Sequence, residues 1–291
     1  TIAQATLPVL ITGETGAGKE VLARAVHHLS GRTGPFVAFN CGALPETLVE
    51  AELFGHRKGA FSDAKEDRPG LVRAAHGGTL FLDEMGELKS PAQAALLRVL
   101  EESEVRPIGA TAPIKVDVQF VSATNRSLEK MVAAGSFRAD LYHRLAGHVL
   151  PLVPLRERRE DMGLIVGSLL RRHAGTNPAN VRLNSSAWRK LLEYGFPGNA
   201  RELDKALHAA VALSRGGEIG AEHLPNWVRE EPTEAPASER GENEPLRDDL
   251  IRHFREQKGN VSAVARVMGK ARVQVQRWMK RFKIDPQQYS K

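Results

Sequence analysis

Gly13-Glu-Thr-Gly-Ala-Gly-Lys19-Glu20 is the stretch that decides the fold, and it lies between an apolar run at residues 7–12 and a helix-like segment at 21–26. Its glycines allow successive backbone N–H groups to surround an anion, and Lys19 places a positive charge where the helix begins. This strand, G-x-x-x-x-G-K turn and helix start predict a phosphate-binding loop rather than a chance glycine-rich turn. The nucleotide-binding residues expected in it are Gly13, Glu14, Thr15, Gly16, Ala17, Gly18, Lys19 and Glu20.

A second apolar segment, residues 77–82, ends in the carboxylates Asp83 and Glu84. Downstream of a phosphate loop, one carboxylate at a strand end can orient Mg²⁺ and a neighbour can activate water. We therefore predict Asp83 as the metal-orienting residue and Glu84 as the general base; the alternative is a solvated acidic turn. Glu20 stands where a Ser or Thr hydroxyl would usually reach Mg²⁺, so the metal has to be held from elsewhere.

Two further predicted strands, residues 35–40 and 116–123, also end in polar residues. Asn40 closes the first, and Thr124 and Asn125 follow the second. Ligands of open α/β sheets bind at the carboxyl ends of the strands. An amide there can sense the terminal phosphate of a nucleotide, although an isolated amide is a weak signal.

Three arginines are candidates for contacts with phosphate. Arg138 and Arg144 lie near helical spacing, and arginine stabilises charge on a transferred phosphoryl group, often from a neighbouring subunit. Surface ion pairs are the alternative for both. Arg201 falls in the first turn of a predicted helix, where its charge opposes the helix dipole and would favour bound phosphate.

The other elements before residue 229 are predicted from the periodicity of apolar residues and from glycine and proline breaks. Residues 162–227 are expected to be entirely helical. Further predicted elements are helices at 45–54, 91–102, 164–173, 185–194 and 199–215, a hairpin at 105–116, and a glycine-flanked loop at 55–64 that contains Phe61.

Composition limits the class of protein. The 291 residues allow two or three domains, and 42% hydrophobic with 26% charged residues are ordinary globular values. No apolar run reaches the roughly 18 residues of a membrane-spanning helix. The single cysteine, Cys41, excludes an internal disulfide, is consistent with the reducing cytoplasm, and is expected to be a small buried apolar residue.

The positive charge is concentrated at the end of the chain, where residues 250–291 carry eleven Lys and Arg against two acidic residues. An acidic, flexible linker is predicted at 229–245, followed by helices at 246–257, at 261–268 with Asn260 as N-cap, and at 272–282. These favour a helix-turn-helix over a basic helical hairpin, with Val275, Met279 and Phe282 facing inward. The predicted DNA contacts are Arg272, Gln274, Arg277, Lys280 and Arg281.

Together these motifs resemble the AAA+ ATPase and DNA-binding parts of bacterial enhancer-binding proteins, which activate sigma-54 RNA polymerase. The resemblance implies an α/β fold in which helices sandwich a parallel P-loop sheet, followed by an all-α lid and an all-α, Fis-type helix-turn-helix. The α/β nucleotide-binding part would be residues 1–156, the lid 157–228, the linker 229–245, and the helix-turn-helix 246–291. The resemblance rests on the terminal helices and on residues 13–20, 39–44, 77–84, 123–125, 137–141, 154–158 and 196–203.

The resemblance also implies roles for single residues. Glu is usual in the family after the loop lysine. Asn40 would be the switch that holds Glu84 when hydrolysis is off, and Thr124 with Asn125 the first sensor. Arg201 would be the second sensor, and Arg138 with Arg144 the arginines that act across a subunit boundary. The resemblance further implies ATP and Mg²⁺ as cofactors, and duplex DNA and sigma-54 polymerase as partners. It also implies a ring, usually a hexamer, and a cytoplasmic location.

One loop departs from the family pattern Gly-Ala-Phe-Thr-Gly-Ala, which touches sigma-54. Here its residues are Gly59, Ala60, Phe61, Ser62, Asp63 and Ala64. Asp63 replaces a flexible glycine with a charged residue at a tight tip. The alternative is therefore a sigma-54-independent regulator or repressor of the same architecture; an AAA+ unfoldase would leave the basic terminal helices without a role.

Overall fold

The computed structural model describes residues 7–61, 64–174, 181–229, 243–257 and 259–268, and the single residues 275, 278, 279, 282, 284 and 289. The chain divides into two compact units, Thr1–Glu231 and Pro232–Lys291.

A five-stranded parallel sheet forms the centre of the first unit, with the strand order β2-β3-β6-β1-β7. The strands are β1 (Val9–Thr12), β2 (Phe36–Asn40), β3 (Thr79–Asp83), β4 (Glu104–Val105), β5 (Ile114–Lys115), β6 (Gln119–Thr124) and β7 (His148–Pro151). β4 and β5 form the predicted antiparallel hairpin. Because the central strands are parallel, their carboxyl ends meet at one edge, where Asn40 pairs with Asp83 and Thr12 with Thr124.

Apolar side chains cover both faces of this sheet. Successive residues of a strand point to opposite faces, so Leu10 and Leu80 join one core cluster while Ile11 and Phe81 join another. All six residues of β6 are buried, as expected for the middle of a parallel sheet covered on both sides. The helices of this part are α1 (Lys19–Ser30), α2 (Glu46–Phe54), α3 (Leu71–Ala74), α4 (Ser90–Glu102), α5 (Leu128–Ala133) and α6 (Ala139–Leu145).

The lid is formed by α7 (Met162–His173), α8 (Ser185–Glu193), α9 (Asn199–Leu213) and α10 (Asn226–Arg229), which share one buried core. The prediction of an entirely helical, all-α lid is wrong in one respect. β8 (Arg182–Leu183) and β9 (Glu218–Ile219) form a short parallel pair that aligns the segments before α8 and after α9. Strands of two residues are too short to produce a period-2 pattern, so periodicity could not predict them.

The second unit contains α11 (Asn243–Glu256) and α12 (Val261–Val267). α11 begins three residues before the predicted start, and Asn260 is the predicted N-cap of α12, accepting from the N–H groups of Ser262 and Ala263. Val275 is fully buried, and Met279 and Phe282 pack against the same core, as predicted. The predicted DNA contacts Arg272, Gln274, Arg277, Lys280 and Arg281 lie outside the described residues. No helix within the described ranges is long and apolar enough to cross a membrane.

Candidate active site

A cleft of about 310 Å³ lies at the carboxyl edge of the sheet, between the phosphate loop and the lid. It brings together nine of the predicted residues, which are Thr15, Gly16, Gly18, Lys19, Glu20, Asp83, Glu84, Asn125 and Arg201. Leu169, Arg172 and Asp204 of the lid also line it, and sequence reasoning missed them. Asp204 lies three residues after Arg201 on α9, so helical spacing could have identified it.

The phosphate loop holds its own lysine. The Lys19 ammonium donates to the carbonyl oxygens of Gly13 at 2.8 Å and Glu14 at 2.9 Å. Burial lowers the pKa of Lys19, and the nearby Asp83 carboxylate opposes that shift. A cation is thus fixed at the start of α1, beside the N–H groups that favour an anion.

Asp83 and Glu84 stand together at the tip of β3. The Asp83 carboxylate accepts a hydrogen bond from the Glu84 N–H at 2.9 Å. Glu84 has φ 54° and ψ 45°, a left-handed conformation that is costly for a residue with a side chain. Such strain is found at functional sites, and here it directs the chain into a short turn directly after the strand.

Asn40 and Glu84 approach each other across Gly42. The Asn40 side-chain oxygen accepts from the Gly42 N–H at 2.8 Å. A Cβ added to Gly42 would lie 2.8 Å from Glu84 Oε2 and 3.4 Å from Asn40 Oδ1. The absence of a side chain at Gly42 therefore lets the amide and the carboxylate share one small space.

The two residues predicted as the first sensor have different environments. Asn125 lines the cleft, and its amide donates to the Thr15 hydroxyl at 3.1 Å. Thr124 is buried, and its hydroxyl accepts from the Arg126 N–H at 3.0 Å instead of lining the cleft. Asn125 is thus the member of this pair that lines the cleft.

Arg138 and Arg144 are not brought to the cleft of their own chain. Arg138 makes two hydrogen bonds to the Asp140 carboxylate, at 2.7 and 3.0 Å. Arg144 donates to the Leu100 carbonyl at 3.0 and 3.2 Å and lines a cavity together with Pro8 and Gly147. These last two residues precede β1 and β7, so Arg144 lies at the opposite end of the sheet from the phosphate loop.

The predicted partner loop has an ordered base. The Gly59 N–H donates to the Ala64 carbonyl at 2.8 Å, and the Ala64 N–H to the Phe61 carbonyl at 3.0 Å. Phe61 is 37% exposed, and its ring meets the His56 ring edge-on at 4.9 Å between centroids. Ser62 and Asp63 lie outside the described residues.

Neither Cys41 nor a cluster of metal ligands adds chemistry to the cleft within the described residues. Cys41 is buried, and burial raises the pKa of its thiol to about 12, which suits an unreactive apolar residue. Within the described part of the chain, no group of three His, Cys, Asp or Glu side chains could hold a metal ion. Asp83 remains the candidate ligand, as one hard oxygen donor beside the phosphate loop.

Comparison with known proteins agrees with this geometry. A family model described as "Sigma-54 interaction domain" matches residues 1–151, and one described as "AAA+ ATPase lid domain" matches residues 156–241. The transcriptional regulatory protein GlrR of Escherichia coli K12 is 41% identical over 286 residues, which are 98% of this chain and 64% of that protein. The Nif-specific regulatory protein of Herbaspirillum seropedicae is 49% identical over 218 residues, 74% of this chain and 40% of that one.

Solved structures of NtrX from Brucella abortus, in complex with ADP and with ATP, are also similar. Each has a TM-score of 0.71 and 32% identity, covering 97% of this chain and 66% of that one. The chain thus spans less than two thirds of the length of the relatives GlrR and Nif-specific regulatory protein. Both matched family ranges end before the predicted helix-turn-helix.

Proposed function

The chain belongs to the family of sigma-54 interaction domains and carries an AAA+ ATPase module, and from this premise we propose that it is an ATP-hydrolysing, DNA-binding bacterial transcription regulator. In this proposal it assembles as a ring, and ATP hydrolysis drives remodelling of sigma-54 RNA polymerase. The observation that carries the proposal is the cleft, where the phosphate loop, both β3 carboxylates, Asn125 and Arg201 converge.

The residues of the cleft divide the work of hydrolysis. Backbone N–H groups of the loop and Lys19 bind the nucleotide phosphates, with Arg201 closing the site from the lid. Glu84 accepts the proton of the attacking water as general base. The Asp83 carboxylate would hold Mg²⁺, which when bound neutralises charge on the phosphate oxygens. The ADP and ATP complexes of NtrX support this choice of nucleotide.

A second candidate function is favoured by Asp63. The family has glycine at this position, and glycine adopts positive φ angles freely. A residue with a side chain pays roughly 1 kcal/mol or more to adopt them. The Asp63 carboxylate would also lose hydration at the contact with sigma-54 unless the partner offers a base. The second candidate is a regulator of the same architecture that binds DNA and ATP but works without sigma-54.

Open-complex formation with purified sigma-54 RNA polymerase separates the two candidates. We expect the unmodified protein to act as a weak sigma-54 activator that gives few open complexes, and Asp63→Gly combined with Ser62→Thr to increase both sigma-54 binding and open complexes. ATP hydrolysis without sigma-54 is expected to stay unchanged. If the double variant also fails with sigma-54 while it hydrolyses ATP normally, the second candidate is correct. If the unmodified protein is already as active as the double variant, the argument from Asp63 is wrong.

DNA binding is proposed for residues 246–291, on the support of their concentrated positive charge and the N-capped helix α12. Replacing Arg272 or Gln274 is expected to relax sequence preference, whereas replacing Lys280 should weaken binding to all sequences and lower its salt dependence. Titration of specific and random duplexes at several salt concentrations measures both effects. Equal losses on both duplexes for all three variants would reject this division into base and phosphate contacts.

A further inference from the structure

The Glu14 side chain of the phosphate loop does not line the cleft, and its carboxylate is bound by two residues that also do not line it. Arg156 donates two hydrogen bonds to it, from Nη2 to Oε1 at 2.6 Å and from Nη1 to Oε2 at 2.8 Å. Such a paired guanidinium and carboxylate fixes direction as well as distance. Asn199 adds a third hydrogen bond, from Nδ2 to Oε2 at 3.0 Å.

Asn199 is fully buried at the first position of α9, and its amide joins three segments. Besides Glu14, its Nδ2 donates to the Thr15 carbonyl at 3.1 Å. Its Oδ1 accepts from the Leu155 N–H at 2.8 Å. Its φ of 55° is left-handed, a region that asparagine tolerates better than most residues.

The backbone of the loop also contacts the lid directly. A Cβ added to Gly16 would lie 2.2 Å from the Gly198 carbonyl oxygen, so only glycine fits there. The Arg201 N–H donates to the Gly16 carbonyl at 3.3 Å, and the Arg158 guanidinium to the Ala17 carbonyl at 2.7 Å. The loop is therefore held at several consecutive residues by segments far along the chain.

Charge and exposure indicate what this arrangement contributes. The hydrogen bonds from Arg156 and then Asn199 lower the pKa of Glu14 to about 2, because these contacts favour the ionised carboxylate. The side chains of Arg156 and Glu14 are nevertheless 40% and 42% exposed. Exposed ion pairs add little to overall stability, so a role in geometry explains the arrangement better.

We propose that Arg156 and Asn199 are positioning residues that hold the phosphate loop through Glu14, so that the lid and the loop keep the relative position that binds ATP. The proposal rests on the proposed function, because it concerns the same nucleotide site. The Glu14 carbonyl is one of the two that hold the Lys19 ammonium, so a displaced Glu14 displaces the cation that binds phosphate.

The test is a double-mutant cycle in the full chain, with Glu14→Ala, Arg156→Ala and both together. Each single variant is expected to raise the Kd for a fluorescent ADP analogue and the KM for ATP about 10-fold, because residues that act through one network share their effect. The double variant should be no worse than the singles, and kcat at saturating ATP should change little. Arg32→Ala is the matched control, since it removes another arginine pair, with Asp117, and should leave Kd and KM unchanged.

The variant Asn199→Gly separates the loss of the contacts that position the loop from backbone strain at residue 199. Glycine adopts φ 55° freely, so this variant removes the amide contacts without adding backbone strain. Its melting temperature is expected to fall because the buried Leu155 N–H loses its acceptor, and a cooperative thermal transition shows that the variant is folded. We expect it to raise KM and Kd as Arg156→Ala does. The proposal would be overturned if Glu14→Ala and Arg156→Ala had additive effects on Kd and KM. It would also be overturned if well-folded Asn199→Gly had a normal KM. A failure of the unmodified chain to bind ADP would instead contradict the proposed function.

Discussion

Replacing Glu84 with alanine is expected to lower ATP turnover at least ~100-fold while nucleotide binding is retained, since 10²-fold or more is typical for the loss of a general base. Glu84 lines the cleft beside Asp83 and Lys19, and its strained φ of 54° fixes the direction of its side chain. The phosphate loop and Arg201 remain in the variant. ATP affinity should therefore change much less than kcat.

Glu87→Ala is the matched control. Glu87 is the next carboxylate along the chain and pairs with Arg126 at 2.5 Å, and it does not line the cleft. Steady-state hydrolysis together with equilibrium binding of an ADP analogue measures both quantities for each variant. Unchanged turnover in Glu84→Ala, or an equal loss in Glu87→Ala, would remove Glu84 from the mechanism.

The parts of the fold that the sequence predicted are those with a local signal. The glycine spacing of residues 13–18 and the apolar strands ending in Asn40, Asp83 and Thr124 each lie within a few consecutive residues. Parallel strands then bring these ends to one edge, so the sheet side of the cleft could be predicted without coordinates.

The lid side of the cleft could not be predicted in the same way. Leu169 and Arg172 come from α7, and nothing in their local sequence separates them from other residues of an amphipathic helix. The contacts of Glu14 with Arg156 and Asn199 join residues 142 and 185 positions apart. Contacts of this kind depend on how two helical segments pack on the loop, which no spacing rule describes.

Arg144→Ala is expected to lower ATP turnover about 10³-fold or more, because an arginine that stabilises the phosphoryl transition state contributes 10³ to 10⁵. Arg144 lies at the opposite end of the sheet from its own phosphate loop and is bound to the Leu100 carbonyl. Within one chain it therefore has no route to the cleft without refolding. A head-to-tail ring places one end of each subunit against the other end of its neighbour, which would bring Arg144 to a second nucleotide.

Mixing variants tests this arrangement directly. Arg144→Ala subunits keep Glu84, and Glu84→Ala subunits keep Arg144, so a site is complete where the former binds ATP and the latter supplies the arginine. Random assembly at equal amounts makes about a quarter of the interfaces of this kind, and turnover should recover to about that fraction of the unmodified level. Recovery must also rise with protein concentration, because it requires assembly. Mixed rings that form without any recovery would show that Arg144 does not act across the boundary, and the contact with Leu100 would then be its whole role.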